Sequence, residues 1–326
     1  MIIDIIGDVH GYADKLTGLL EQLGYVHNGE CYMPPEGHRA LFIGDLIDRG
    51  AQQLATLQTV FAMLDADVAD AVMGNHEYNA LAFATLDPHP NYNDKDKDKD
   101  SDSKHYLRSH NEVHIRQHEA FLAEIPFGSE LHHYWLNRFY ELPLWLETEF
   151  GCFVHACWDV DSMAVLQPLL TVDNCLTPEA LILTSQKHSA PYDALERVLK
   201  GVETALPEGL IMVDKDGAER SQVRVRWWLD ELNTRTIHEI ARAPASGLAQ
   251  IPVDAMAENI NFAIKTHKPV FVGHYWLTGN PEPLSIQVIC TDYSAAVDSG
   301  YLTCYQLDTA QPLPLHADNF VQYRHD

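Results

Sequence analysis

Five short runs of aliphatic and β-branched residues punctuate the chain, at residues 2–6, 40–43, 69–73, 153–154 and 270–272. Each has the length of a buried strand rather than a helix. Between the first three, Leu16, Leu19, Leu20 and Leu23 fall at i, i+3, i+4 and i+7, and Leu57, Val60, Phe61 and Leu64 repeat that spacing. Each of these segments therefore carries one apolar stripe along a helix. The first third predicts strand, helix, strand, helix, strand, an α/β arrangement with helices packed on a sheet. Residues 158–206 predict mostly helix, with Pro168, Pro178 and Pro191 marking segment boundaries, and strands return at 285–290 and 302–307. No internal repeat of 20 to 50 residues is present.

From Asp87 the pattern breaks. Two prolines precede an alternation of Asp and Lys that ends at Asp100. Opposite charges without an apolar partner cannot offset the entropy of ordering, which predicts a mobile loop. Residues 114–140, rich in His, Leu and aromatics, predict one or two helices. Residues 87–140 thus read as a cap-like insertion between two core elements of one domain spanning 1–326. Tyr134, Trp135, Phe139 and Tyr140 have a spacing that fits a helix packed on the core better than a ligand groove.

Composition narrows the partners. With 22 basic and 47 acidic residues the formal charge is −25, which repels nucleic acid phosphates and argues against duplex DNA or RNA. No apolar run reaches the roughly 18 residues needed to cross a bilayer, and no membrane partner is expected. The polar cluster at Gly7-Asp8-Val9-His10 follows the first residues at once, leaving no room for a signal peptide. The six cysteines form no Cys-x-x-Cys pair, as expected for reduced thiols in a cytoplasmic protein.

Four apolar runs end in a glycine followed by a metal-capable side chain: Gly7-Asp8, Gly44-Asp45, Gly74-Asn75 and Gly273-His274. A fifth, Phe153-Val154, ends in His155. Ends of parallel strands converge on one crevice, where open α/β folds place their ligands. A glycine fits there because the turn needs unusual backbone angles or close approach. Asp8, His10, Asp45, Asn75, His155 and His274 together offer oxygens and imidazole nitrogens and no thiolate, which suits manganese, iron or zinc. If one carboxylate bridges, the set holds two metals.

The blocks Gly7-Asp8-Val9-His10-Gly11, Gly44-Asp45-Leu46-Ile47-Asp48-Arg49-Gly50, Gly74-Asn75-His76-Glu77, Val154-His155-Ala156 and Gly273-His274 resemble the five motifs of the calcineurin-like metallophosphoesterases. The Asp48-Arg49-Gly50 ending resembles the phosphoprotein phosphatase branch, symmetrical diadenosine tetraphosphatases included. The resemblance implies a four-layer α-β-β-α sandwich with two mixed β-sheets. It implies two divalent metal ions, manganese first and iron or zinc as alternatives, one held by Asp8, His10 and Asp45 and the other by Asp45, Asn75, His155 and His274. It also implies in-line attack on phosphorus by a metal-bridging hydroxide, with Arg49, Asn75 and His76 on the phosphoryl group, His76 protonating the leaving oxygen and Asp48 orienting His76. The catalytic set so implied is His76, Asp48 and Arg49.

Departures from the family pattern sharpen the expectation. Trp276 stands where many nucleases of the superfamily place a second histidine, which lowers the nuclease reading. Protein phosphatases use a further phosphate-binding arginine between the last two histidine blocks, for which Arg224 and Arg226 are the candidates and Arg226 the one chosen. Several polar residues read as structural: Glu77 opening a helix, His114 and His118 as structural or solvent-facing, and Asp159 and Asp161 as helix caps rather than supports for the metal. Trp227 and Trp228 read as core.

The expected activity is hydrolysis of phosphate monoesters, on phosphorylated proteins (Ser, Thr or Tyr phosphate) or small phosphate esters. Symmetrical hydrolysis of dinucleoside tetraphosphates is the alternative. A binding module that has lost catalysis is a third reading, which predicts a missing ligand, arginine or proton donor, and none is missing.

Overall fold

A computed structural model describes all residues except 90–104, 214–218, 244–245, 258–259, 261, 298 and 325–326. The Asp/Lys alternation, and with it the loop expected there, lies outside the described residues. Two sheets form the centre. In the first, the strand Ile2–Ile6 runs parallel to His38–Phe42, which runs parallel to Ala69–Ala71. On its other side Ile2–Ile6 pairs antiparallel with Tyr301–Asp308, which also pairs with Asp292–Tyr293 and Phe320–Tyr323. In the second sheet Cys152–Val154, Val270–Val272 and Val288–Cys290 are parallel, and Trp145–Glu147 joins antiparallel at the edge.

Alternate residues of the two sheets meet face to face. Ile3, Ile5, Leu41, Ile43, Val72, Phe153, Phe271, Ile289, Tyr305 and Leu307 form one buried layer between them. The opposite faces carry helices. Leu16, Leu19 and Leu20 of Ala13–Gln22 and Leu57, Val60 and Phe61 of Gln53–Asp65 are buried in a second cluster, as their spacing predicts. This is the four-layer sandwich. The five apolar runs are strands within a residue or two of their expected limits, and they divide between two sheets, as the resemblance implies. Trp145–Glu147 and Phe320–Tyr323 carry no distinctive alternation and were not foreseen.

The chain after Ala84 returns to helix at Glu112–Glu124 and Glu130–Phe139. Phe121, Ile125, Trp135, Leu136 and Phe139 are buried in the same core as the first two helices, whereas Tyr134 faces outward. The six cysteines are free thiols, and no helix among the described residues is long and apolar enough to cross a membrane.

Candidate metal centre

The parallel strands of both sheets end on the same side. Register places Ile6 beside Phe42 and Phe42 beside Ala71, so the loops carrying Asp8, Asp45 and Asn75 leave the first sheet together. The second sheet delivers His155 and His274 beside each other, with Gly273 N donating to His155 O at 2.9 Å. Val288–Cys290 of the second sheet runs on into Asp292–Tyr293 of the first, which ties the two sheets at this end.

Packing these loops so tightly requires glycine. A Cβ on Gly273 would collide with the Asp8 carboxylate, and one on Gly74 with the Asp45 backbone. Six residues without that freedom still adopt the left-handed region: His10 (φ 50°), Asp45 (50°), Asp48 (69°), Arg49 (75°), His274 (71°) and Trp276 (50°). Each costs about 1–3 kcal/mol, and such strain persists only where surrounding contacts over-determine it.

Much of that determination comes from Glu77, a buried residue in the first turn of the helix Asn75–Ala84. Its Oε2 accepts the N–H of Asp45 at 3.0 Å and of Gly74 at 2.9 Å, and its Oε1 accepts the N–H of Leu46 at 2.8 Å and of Ile47 at 3.3 Å. One carboxylate therefore pins the Asp45 loop to the Asn75 loop. The sequence reading of Glu77 as a helix-opening residue holds for its bond to Gly74 and misses the other three.

At the centre, imidazole nitrogens face carboxylate and amide oxygens. His155 Nδ1 donates to Ile43 O at 2.7 Å, which turns Nε2 towards the acidic side chains, and although burial works against it the Asp45 carboxylate raises the pKa of the ring. Its Nε2 lies 3.3 Å from Asp45 Oδ2 and 3.2 Å from Asn75 Oδ1. His10 repeats the arrangement: Nδ1 donates to Ile47 O at 2.9 Å, and Nε2, buried and without a hydrogen-bond partner among the described residues, lies 3.8 Å from Asp45 Oδ2 and 4.0 Å from Asp8 Oδ2. Among the described residues His274 Nδ1 is also buried without a hydrogen-bond partner, and since Arg224 donates to Nε2 of that ring, Nδ1 holds the proton in its neutral form. An unpaired buried acceptor such as His10 Nε2 costs stability, and a cation beside it removes that cost.

Among the described residues two side-chain groups could hold a metal ion: Asp45 with His155 and His274, and Asp45 with His10 and His76. Asp45 belongs to both, as a bridging carboxylate must. The electrostatics agree. Burial raises the Asp8 carboxyl well above its usual value, reinforced by the charges of Asp292 and Asp45, and burial with Asp45 raises Glu77 to about 7. Burial also raises Asp292. It works against Asp45 too, yet the imidazoles of His155 and His76 overcome it and hold Asp45 well below the normal range. Four buried carboxyl groups clustered among imidazoles constitute a site for positive charge.

Burial lowers His10 to about 4 and His274 well below its usual value, whereas carboxylates raise both His155 and His76. The Nδ1 of His76 lies 2.5 Å from Asp48 Oδ2, and although burial lowers the pKa of the ring, the carboxylates of Asp45 and Asp48 raise it beyond compensation. It is built to carry a proton, with Nε2 3.8 Å from Asp45 Oδ2 at the mouth of the centre. Asp48 is held low despite burial by His118 and His76, on opposite oxygens. Arg49 is exposed, its guanidinium 5.1 Å above the Trp276 ring.

Arg226 does not reach this centre. The strand Gln222–Arg224 ends before it, and its Nη2 donates to Glu239 O at 2.7 Å. Arg224, still on the strand, lies with Nη1 3.0 Å from His274 Nε2. The sequence limits the arginine to two positions, and only the end of the strand separates them.

Asp159 caps the helix Val160–Leu166, as read, and pairs with Arg197 at 3.1 Å; Asp161 is not a cap but lies in the first turn of that helix and pairs with Lys265. Trp227 is core, donating from Nε1 to Ala156 O at 3.1 Å and to Tyr275 Oη at 2.6 Å behind His155. His118 departs from the solvent-facing option: it is buried and lies 2.8 Å from Asp48 Oδ1. Asp292, not singled out in the sequence, accepts the N–H of Trp276 at 2.6 Å and of Ser294 at 3.0 Å.

Residues 1–149 match the family model described as calcineurin-like phosphoesterase. Over 76 residues the chain is 45% identical to the asymmetrical bis(5'-nucleosyl)-tetraphosphatase PrpE of Geobacillus thermodenitrificans, an alignment covering 23% of this chain and 31% of that protein. The PrpE of Bacillus subtilis is 36% identical over 76 residues, again covering 23% of this chain and 31% of that protein. The match therefore spans about a third of the length of these curated relatives. Among solved structures, the protein serine/threonine phosphatase from Saccharomyces cerevisiae with similarity to human phosphatase PP5 aligns over 99% of this chain and 79% of its own, at a TM-score of 0.50 and 13% identity, a likeness of fold.

Proposed function

Starting from residues 1–149 as a calcineurin-like phosphoesterase segment, we propose that this chain is a metal-dependent hydrolase of phosphate monoesters. The observation that carries the reading is the convergence of His155 Nε2 and His10 Nε2 on the shared Asp45 carboxylate, at 3.3 and 3.8 Å. Asp8, His10 and Asp45 would hold one divalent ion, and Asp45, Asn75, His155 and His274 the other. The thiolate-free donor set suits manganese, with iron or zinc as alternatives. Bound there, the pair would supply Lewis-acid activation of water and neutralise charge on the phosphoryl group.

The chain's own residues supply the rest. Arg49 offers a planar fork to phosphoryl oxygens, and its guanidinium lies 5.1 Å over the Trp276 ring. Arg224 offers a second cation beside His274, in the role the sequence assigned to Arg226. His76, held through Nδ1 by Asp48, keeps Nε2 for the leaving oxygen, which it protonates. Residues 87–140 belong to the same domain in this reading, as an insertion bordering His76 and Asp48. The six free thiols accord with a cytoplasmic setting.

A second reading, cleavage of dinucleoside tetraphosphates, draws on the tetraphosphatase relatives, whose printed names specify asymmetrical rather than symmetrical cleavage. Manganese-loaded protein incubated with a phosphopeptide panel and with diadenosine tetraphosphate separates the two by catalytic efficiency. Product analysis then tells an unequal cut, leaving three phosphates on one nucleoside, from two equal halves. Turnover of neither class would overturn both readings.

A further inference from the structure

His118 lies on the helix Glu112–Glu124, seventy residues from Asp48, and is 5% exposed. Its Nδ1 is 2.8 Å from Asp48 Oδ1, and the other oxygen of the same carboxylate is 2.5 Å from His76 Nδ1. Each oxygen of Asp48 thus meets its own imidazole. We propose that His118 is a positioning residue for proton transfer: it fixes the Asp48 carboxylate so that His76 presents Nε2 to the leaving oxygen. This rests on the reading of His76 as the proton donor.

The physical need is specific. The torsion that turns a carboxylate about its Cβ–Cγ bond is broad, so one hydrogen bond to His76 leaves the group free to rock. A second donor on the opposite oxygen removes that freedom and satisfies an oxygen that burial would otherwise leave unpaired. Asp48 also has a left-handed backbone, φ 69°, with its N–H donating to Gln53 Oε1 at 2.8 Å, so backbone and side chain are both held.

His118 is itself fixed. Its ring stacks on Phe121 at 4.8 Å and meets the edge of Phe83 at 5.2 Å. Six residues on, the Glu124 carboxylate accepts the N–H groups of Gln53 and Leu54 at 2.8 and 3.0 Å, at the start of the helix that follows Asp48. The helix therefore docks through two polar contacts onto residues 48–54. The bland alternative is that His118 only fills space. Phe or Leu would fill that aromatic surrounding without burying an Nε2 that has no hydrogen-bond partner among the described residues, so an imidazole there costs stability unless its Nδ1 is needed.

Two esters separate positioning from bulk structure. p-Nitrophenolate leaves without a proton at neutral pH, whereas the alkoxide of an alkyl phosphate does not. For His118→Phe, kcat on the alkyl ester should fall about 10–100-fold, part of the general-acid contribution, with KM unchanged and kcat on p-nitrophenyl phosphate within about 3-fold of wild type. His118→Asn places an amide N–H where Nδ1 stood and should recover most of the loss, whereas His118→Gln, one bond longer, should not. His114→Ala, one turn away and bonded among the described residues to Ser109 and the helix start, should change neither ester. An equal fall on both esters, or no fall on the alkyl ester, overturns the proposal. If the Phe variant does not fold, the Asn and Gln variants decide by the same comparison.

A readout independent of turnover uses the full chain. The downfield proton NMR resonance of His76 Nδ1–H, identified by its loss in His76→Gln, should shift in His118→Phe and persist in His118→Asn. An unshifted resonance in His118→Phe overturns the positioning role. A shifted one with no ester hydrolysed by wild type overturns the proposed function and leaves the positioning intact.

Discussion

Glu77→Gln is the most informative single change outside the ligand set. It keeps the size of the side chain and turns one oxygen into an NH2 donor. Whichever oxygen is replaced, two of the four backbone N–H groups now held by the carboxylate lose their acceptor and face another donor. Hydrogen bonds to a charged group are worth about 1.5–3 kcal/mol each, so the loss is about 3–6 kcal/mol before any relaxation. The Leu46 and Ile47 pair, the latter at 3.3 Å, is the weaker side, so the amide should turn there and the cost should sit near the lower bound. Against a typical stability of about 5–15 kcal/mol this is a large fraction. Urea unfolding of the chelator-treated protein above pH 8, where Glu77 with its pKa near 7 is ionised, measures it through the midpoint and slope. A difference below about 1 kcal/mol would refute the idea that one carboxylate holds the Asp45 and Asn75 loops together.

Further expectations follow from individual contacts. Asp45→Asn should weaken manganese binding in titration calorimetry by more than the ~10–100-fold typical of supporting groups, and abolish the manganese-dependent rise in Tm; an unchanged affinity would place the ions elsewhere. Arg224→Met should raise the inhibition constant of inorganic phosphate several-fold while Arg226→Met leaves it unchanged, and the reverse order would restore the sequence choice. Burial, with the charges of His118 and His133, depresses His132 from 6.5 to about 4. Its contribution is present above pH 6.5 and is lost as pH falls towards 4, because the unfolded chain binds the proton first. Wild type should therefore lose up to roughly 3 kcal/mol more than His132→Phe across that window in paired denaturation curves, and parallel curves would contradict the burial argument.

The strands and their exits were legible because each signal is local. Residues 2–6 and 270–272 announce themselves by composition, and Gly7-Asp8 and Gly273-His274 by adjacency. The stripes at Leu16 and Leu57 fell on helices for the same reason: periodicity is written within a dozen residues. The edge strand Trp145–Glu147 was missed because three residues cannot show a period. The choice between Arg224 and Arg226 is not local, because the pattern of Arg-Val-Arg does not say where the strand ends.

By itself the chain's order of residues determined which side chains could bind cations and that they sit at the ends of buried strands. Tertiary structure alone decided how they are held. Glu77 reaches back 30 to 32 residues to the Asp45 loop, His118 reaches back 70 to Asp48, and Arg224 meets His274 across 50. These contacts have no local spacing to betray them, since a hydrogen bond depends on where two backbones are brought by packing. The ligands are a matter of residue type, and their orientation is a consequence of two sheets closing on one layer of apolar side chains.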